Sequence, residues 1–204
     1  MVKRKAQTEL VKQLKKALKG RKQKDWQVRP EILLCPNIPM PLHGVAPRVV
    51  LGMVWWNKTR QEAYKSTNYH CAACAVYKYE AKGKKWLEGH ELYNIDYAAG
   101  TMTYQETVPL CNYCHQFIHD GRMRGLMMRG KLNRQKYILV IQHGDRVLQA
   151  AGLVRLTHEE REAQISEMLL DGEVAAWKDW RLVVDGKKYK PKFKTESQWR
   201  EAMK

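Results

Sequence analysis

The chain has 204 residues and a mass of 23.9 kDa, and 44% of its residues are apolar, which is enough for a packed core and excludes wholesale disorder. Its 37 basic residues exceed its 21 acidic residues, so the formal net charge is +16. This excess favours polyanionic partners, nucleic acid first and an anionic membrane surface second. No apolar run approaches the roughly 18 residues of a membrane-spanning helix, so we expect a cytoplasmic protein with no membrane segment.

The N-terminal part of the chain carries the densest positive charge. Residues 1–24 contain ten basic residues and one acid, and their apolar residues recur at helical spacing. This pattern predicts a basic amphipathic helix, which is either a phosphate-binding arm or a solubilising arm. Residues 25–68 follow as a linker, with five of the seven prolines between Pro30 and Pro47, and a packing helix from Met53 to Tyr64.

Four of the five cysteines form two C-x-x-C pairs, Cys71 with Cys74 and Cys111 with Cys114. A C-x-x-C turn brings two sulfurs within reach of one tetrahedral ion, and two such turns complete its coordination shell. In a chain that we expect to stay in a reducing compartment, this spacing indicates metal binding rather than disulfides. We therefore predict a closed, structural zinc site at these four residues.

Two histidines follow the second cysteine pair. His115 comes directly after Cys114, and His119 is four residues further along. If the second pair opens a helix, positions i and i+4 lie on one face of it. The two imidazoles would then be a ready pair of ligands for a second metal ion.

A strand, a turn and a returning strand are predicted between the two cysteine pairs. Trp86–Leu92 is typical of a strand and contains His90, Tyr97–Gly100 is typical of a turn, and Thr101–Thr107 is typical of the returning strand. We expect a hairpin that holds His90 beside the helix that holds the other two histidines.

The C-terminal half is predicted to contain further helices and a second hairpin. Residues 120–136 contain six basic residues and one acid, and two buried helical pieces follow, on either side of His143-Gly144-Asp145. Thr157 and Glu160 have the spacing of a capping box, which predicts a helix to about Leu170. The Asp185-Gly186 pair indicates a hairpin within 180–194, and a short helix is predicted from Thr195 to Met203. The five lysines of this hairpin region are either a solvated edge or a phosphate-binding track: Lys187, Lys188, Lys190, Lys192 and Lys194.

The order of the central motifs resembles that of the HNH endonucleases with a ββα-metal fold, in the version that carries a four-cysteine zinc. The shared layout is C-x-x-C, then Gly89-His90-Glu91, then C-x-x-C followed by His115 and His119, and it covers about residues 69–120. The resemblance implies that His90 is the general base on the first strand. It also implies that His115 binds the catalytic metal ion and that His119 is the additional histidine ligand found in some members.

Two positions depart from the family pattern. The residue before the base helps to hold the metal ion in the family but is Gly89 here, and Glu106 falls near the position of the middle asparagine. We expect Glu91, or else Asp96, to supply the missing oxygen ligand, so the predicted catalytic residues are His90, His115 and Glu91. A Glu91 ligand would favour Mg²⁺ or Mn²⁺ as the catalytic ion, whereas histidine ligands alone suit Ni²⁺, Zn²⁺ or Mn²⁺.

The chemistry of phosphodiester hydrolysis suits these residues. A neutral imidazole with a pKa of about 6.5 can accept a proton from water at neutral pH. A divalent ion on the opposite side stabilises charge on the phosphate and on the departing 3′ oxygen.

The predicted fold is α+β, with a ββα-metal core stabilised by a four-cysteine structural zinc, flanking helices and a C-terminal hairpin-helix appendage. The predicted function is hydrolysis of phosphodiester bonds in double-stranded DNA by a monomer or homodimer, in a phage, mobile-element or restriction setting in a bacterial or phage-infected cell. A catalytically inactive zinc-stabilised nucleic-acid-binding protein is the alternative, favoured by Gly89, and an RNA-binding or ribosome-associated protein is a third. The predicted divisions are a basic arm (1–24), a linker and packing helix (25–68), the nuclease core with zinc (69–125), supporting helices (126–155) and an accessory module that is a candidate for DNA recognition (156–204).

Overall fold

The computed structural model describes residues 26–157, 160, 163–164, 166–168, 171–172 and 174–203. The helix predicted over residues 1–24 lies outside this described part. The described residues form a mixed α+β structure, so the predicted fold class is confirmed at that level. None of the helices in the described part is long and apolar enough to cross a membrane.

The regular elements follow the predicted order closely. The α-helices are α1 (Pro47–Val50), α2 (Gly52–Ser66), α3 (Asn112–Ile118), α4 (Asp120–Met128), α5 (Arg134–Ala150) and α6 (Glu196–Ala202). The strands are β1 (Leu87–Asp96), β2 (Thr101–Cys111), β3 (Arg181–Val184) and β4 (Lys187–Tyr189), and they form one sheet in that order. Short 3₁₀ helices span Pro30–Leu34, Met40–Leu42 and Trp177–Asp179.

The chain divides into two compact units that do not follow the linear divisions predicted from the sequence. Unit 1 contains the described residues up to 35, together with 60–90 and 108–155. Unit 2 contains 36–59, 91–107 and the described residues from 156 onward. The predicted nuclease core, 69–125, is therefore shared between the units, because residues 91–107 group with the C-terminal part of the chain.

The predicted central hairpin is present and is longer than expected. β1 and β2 are hydrogen-bonded neighbours joined by the turn at residues 97–100. Parallel strands need a crossover of about a dozen residues, so this pair is antiparallel. Gly100 closes the turn at φ +64°, and a Cβ atom there would lie 2.6 Å from the Cβ of Ala175, so the position requires glycine.

The C-terminal hairpin extends the sheet of unit 2 rather than forming a separate appendage. β3 pairs in parallel with β2, with Met102 opposite Leu182, and β4 pairs antiparallel with β3. Asp185 and Gly186 both have positive φ, as the predicted two-residue turn requires. The sheet covers a buried apolar cluster whose members are Leu42, Val45, Met102, Trp180, Leu182 and Val184.

The predicted capping box at Thr157 and Glu160 is confirmed. The Thr157 Oγ1 atom accepts from the backbone N–H of Glu160, while the Glu160 carboxylate accepts from the backbone N–H of Thr157. This reciprocal pair is the expected capping box. Thr195 likewise caps α6 by accepting from the backbone N–H of Gln198.

The proline-rich segment is not an open linker. Its two 3₁₀ helices bury Ile32 and Leu33 in unit 1 and Leu42 in unit 2. His43, to which the sequence assigned no function, accepts a hydrogen bond from Trp199 Nε1 at 3.1 Å and is 3.1 Å from the carbonyl oxygen of Ile38. Proline fixes φ without preventing burial, so a high proline content did not by itself mark an exposed connection.

The two helical pieces predicted around residue 144 are one continuous helix, α5. Gly144 is buried in the middle of this helix, where a Cβ atom would overlap the ring of Phe117 on α3. Glycine at this position therefore allows close packing of α3 against α5 instead of ending a helix. The sequence pattern could not show this, because the contact joins residues 27 positions apart.

This packing predicts opposite effects for two helical glycines. Gly144→Ala should lower the free energy of unfolding by about 1–3 kcal/mol, because the added methyl group overpacks the contact with Phe117. Gly121→Ala is the matched control, since nothing lies within 4 Å of its Cβ position in α4. The control should be neutral or stabilising by up to about 1 kcal/mol. Denaturant unfolding of the two variants would contradict the packing argument if both lost the same stability.

Candidate metal centres

The four predicted cysteines come together in unit 1 from two chain segments. Cys71 and Cys74 lie in the loop after α2, where the backbone N–H of Ala75 donates to the Cys71 carbonyl at 2.9 Å and Ala75 adopts φ +60°. Cys111 ends β2 and is the N-cap of α3, its sulfur accepting from the backbone N–H of Cys114 at 3.4 Å. A strand end and a helix start thus hold the second pair.

The geometry of this cysteine cluster fits one tetrahedral ion. All four side chains are buried, and their sulfurs lie within 4.8 Å of one another. The sulfurs of Cys74 and Cys111 are 3.8 Å apart. Zinc–sulfur bonds of about 2.3 Å give a tetrahedron with edges of about 3.8 Å. The cluster could therefore coordinate a structural metal ion such as zinc.

Hydrogen bonding among the thiols already favours a thiolate in this cluster. Contacts from Cys114, Cys71 and Cys74 lower the pKa of the Cys111 thiol below its usual value. A negative charge on Cys111 is stabilised by these donors, although burial opposes it. The fifth cysteine, Cys35, behaves differently, because burial raises its pKa to about 11 and keeps it protonated.

The three predicted histidines form a second cluster in unit 1. His90 is buried on β1, His115 lies in α3 and His119 follows the last residue of α3. One ring nitrogen from each lies within 4.8 Å of the others. The ring centroids are 5.4 Å apart for His90 and His115, 5.2 Å for His90 and His119, and 4.9 Å for His115 and His119. Three imidazoles at this spacing could hold one metal ion.

Glu88 is a site residue that the sequence analysis missed. Its Oε2 atom lies 2.7 Å from Nδ1 of His115, and its carboxylate also accepts from Lys84 Nζ at 2.7 Å and from Asn112 Nδ2 at 3.3 Å. Burial raises the pKa of Glu88, but the hydrogen bonds from His115 and Lys84 outweigh it and bring the pKa to about 2. An ionised Glu88 fixes the His115 ring so that Nε2 is the nitrogen left for an ion.

The alternation of side chains along β1 could have identified Glu88 as a site residue. Residues two apart on a strand share a face, so Glu88 lies on the same face as His90, whereas Glu91 lies on the other. Glu91 was predicted to be catalytic and to bind the metal ion. Its buried carboxylate instead accepts two hydrogen bonds from Nη1 of Arg48, at 2.9 and 3.1 Å, and it lies outside the histidine cluster.

Asp96 was the alternative oxygen ligand, and Glu106 falls near the position of the family's middle asparagine. Oδ1 of Asp96 accepts from the backbone N–H of Ala99 in the hairpin turn, and Glu106 is exposed on β2. In unit 1 the carboxylate of Glu88 is hydrogen-bonded to His115 of the histidine cluster.

His143 is a second residue that the sequence analysis did not connect with a site. Its Nε2 atom is 3.3 Å from Sγ of Cys114 and 4.0 Å from Sγ of Cys111. No local pattern indicates this contact, because His143 lies on α5, 29 residues after Cys114, and reaches the cysteines through tertiary packing.

Comparisons of the chain with protein-family models, with curated proteins and with solved structures find no match. The geometry of the two clusters therefore carries the functional argument.

The cysteine cluster predicts one tightly held zinc ion per chain. After dialysis against a chelator, elemental analysis should find that ion in the parent protein and in Cys35→Ser, the matched control. Cys74→Ser should lose the ion, and unit 1 should unfold, because a structural zinc ion contributes folding free energy directly. Folded parent protein without tightly held zinc would contradict the prediction.

Proposed function

We propose that this protein is a metal-dependent endonuclease of the HNH type that hydrolyses phosphodiester bonds in DNA. The observation that carries the proposal is the presence of two separate ligand clusters in one hairpin-helix unit. Four thiols complete the shell of one ion, and three imidazoles offer a second ion an incomplete shell. A protein whose metal ion serves only to stabilise the fold would not require the histidine cluster.

The two clusters suit different tasks. A closed four-cysteine shell excludes substrate, so an ion there stabilises the fold. A shell with three protein ligands leaves a position for water or a phosphate oxygen, which is the arrangement of catalytic sites. His115 and His119 are half-buried, so part of each residue is exposed to solvent. A divalent ion held there would polarise a phosphoryl oxygen and lower the pKa of attacking water.

His90 serves in this proposal as a metal ligand and not as the general base. One ring nitrogen of His90 lies within 4.8 Å of one ring nitrogen of each of the other two histidines, so His90 belongs to the same group of candidate ligands. The resemblance to the HNH enzymes leaves the first-strand ligand missing at Gly89, and we propose that His90 supplies a ligand in its place. On this proposal Gly89 is no longer an argument for an inactive protein.

The donor set also bears on the identity of the catalytic ion. Among the ions considered, Mg²⁺ depended on Glu91 as an oxygen ligand, and Glu91 is paired with Arg48. Three imidazole nitrogens suit Zn²⁺ or Ni²⁺ better than Mg²⁺. We therefore propose a transition-metal ion for the histidine cluster and zinc for the cysteine cluster.

Double-stranded DNA is proposed as the substrate because positive charge follows the histidine cluster closely. Six basic residues lie between Asp120 and Lys136, all exposed or half-buried: Arg122, Arg124, Arg129, Lys131, Arg134 and Lys136. The acid in this stretch, Asp120, is buried and paired with Arg155. The stretch therefore carries a net positive charge, which favours binding to backbone phosphates.

Histidine variants separate the ligand role of His90 from the general-base role. In zinc-loaded protein, substitution of His90, His115 or His119 by Ala should weaken binding of a second ion, measured by Ni²⁺ calorimetry, by at least about 10–100-fold. Plasmid nicking should fall by about 10²–10⁴-fold in each variant. His70→Ala is the control, because the His70 Nδ1 atom contacts backbone carbonyls at Thr67 and Asn68.

Unchanged Ni²⁺ affinity in His90→Ala, with nicking lost, would assign the general-base role to His90 instead. Parent protein that binds DNA without nicking it under any divalent ion would support the inactive alternative.

The row of lysines at 188, 190, 192 and 194, which begins on the edge strand β4 and continues past its end at Tyr189, is proposed as a second backbone contact. From Lys188 to Lys194 the lysines at even positions are exposed, whereas Tyr189, Pro191 and Phe193 are half-buried. One-sided charge of this kind either follows a phosphate backbone or prevents pairing of an open sheet edge.

Salt dependence decides between these two uses of the lysine row. Four Lys→Gln changes at 188, 190, 192 and 194 should flatten the slope of log K against log salt by about 0.9 for each phosphate that the variant no longer neutralises. The corresponding Lys→Arg variant retains the charge and should retain the slope. Binding is measured on duplex DNA in a chelator, so that cleavage plays no part. An unchanged slope together with self-association of the Gln variant would assign the row to edge protection.

A further inference from the structure

We infer that His143 is a positioning residue of the cysteine metal centre, where its Nε2–H donates to the Cys114 thiolate and protects the bound ion from loss. The contact of 3.3 Å between Nε2 and Sγ is within hydrogen-bonding distance for sulfur. Among the described histidines of unit 1, three form the histidine cluster and His70 contacts backbone carbonyls. His143 is the remaining one, and its contacts are with the cysteines. This inference does not depend on the proposed nuclease activity.

The distances place His143 outside the coordination shell. Nε2 of His143 is 4.0 Å from Sγ of Cys111, and His143 is not part of the group whose ligand atoms all lie within 4.8 Å of one another. The four cysteines therefore fill the shell, and the imidazole contacts it from outside.

The charge of the centre explains why a donor is needed there. One Zn²⁺ ion with four thiolates has a net charge of −2, and this charge is buried among side chains that are 0–5% exposed. Buried charge is stable only when hydrogen bonds compensate it. Cys111 receives one such bond from the backbone N–H of Cys114, and the His143 Nε2–H supplies another to Cys114.

The helix packing holds the imidazole in position. Gly144, the next residue, allows α5 to approach Phe117 on α3, three residues after Cys114. The ring of His143 also meets the edge of Tyr113, with ring centroids 5.7 Å apart. The close contact between Gly144 and Phe117 therefore also directs the side chain of His143 toward the second cysteine pair.

The expected consequence is a slower loss of metal. A hydrogen bond to a metal-bound thiolate withdraws electron density from sulfur, which makes that sulfur a weaker target for protons and alkylating agents. Residues that hydrogen-bond to metal ligands typically change metal affinity by about 10–100-fold when removed. The contribution of His143 should therefore appear as a rate of metal release and as a spectroscopic shift, without any change in the number of bound ions.

The test compares the parent protein with His143→Phe, which lacks the donor, and His143→Gln, which keeps an N–H donor. His143→Phe should release zinc to a chromogenic chelator at least about 10-fold faster and react faster with iodoacetamide, and His143→Gln should recover most of the difference. In Co²⁺-loaded protein, the sulfur-to-metal charge-transfer band should shift in His143→Phe, while the d–d bands keep the intensity of a four-sulfur tetrahedral site.

His70→Phe is the matched control, because His70 directly precedes Cys71 in the chain but bonds to backbone carbonyls. It should leave the release rate and the Co²⁺ spectrum unchanged. Equal release rates and spectra in the parent and His143→Phe would overturn the inference. It would equally be overturned if the parent's Co²⁺ bands indicated three sulfurs and one nitrogen, since His143 would then be a ligand.

Discussion

The hydrogen bond from the backbone N–H of Cys114 to the sulfur of Cys111 is the interaction on which both candidate metal centres depend. It caps α3 at the end of β2 and sets the direction in which that helix leaves the sheet. Cys114 and His115 are neighbours in the first turns of α3, so a single helix start presents sulfur to one cluster and nitrogen to the other. Any change that displaces this junction must affect the fold and the candidate catalytic site together.

Magnitudes indicate that metal binding and folding are coupled in unit 1. A structural zinc ion contributes about 10–16 kcal/mol in small zinc modules. The whole stability of an ordinary domain is about 5–15 kcal/mol. The loop that holds Cys71 and Cys74 has little regular structure of its own, and it is joined to β2 by the bond from the Ala72 N–H to the carbonyl of Pro109. Zinc is therefore expected to be part of the folded state and not an addition to it.

Periodic and local features of the fold could be predicted from the sequence. The sequence analysis predicted the hairpin with His90, the helix start at the second cysteine pair, the Asp185-Gly186 turn and the capping box at Thr157. Neighbouring residues determine each of these features. The gathering of the four cysteines could be predicted because two C-x-x-C turns have one compact solution around an ion.

Features that depend on contacts between distant segments could not be predicted. Gly144 resembled a helix break until Phe117 was known to pack against it, and the role of His143 depends on that same contact. The C-terminal hairpin pairs with β2 through a parallel register that no local pattern encodes. Glu91 was predicted as the oxygen ligand because it follows His90 in the chain, and Glu88 was missed although strand alternation places it on the same face as His90.

The central claim is that the two centres are separate and differ in their donor atoms. X-ray absorption spectroscopy tests it most directly, on protein loaded with zinc in one cluster and nickel in the other. The zinc edge should show four sulfur neighbours at about 2.3 Å. The nickel edge should show imidazole nitrogens and no sulfur. Sulfur around nickel, or a failure of zinc-loaded protein to bind nickel at all, would contradict the account.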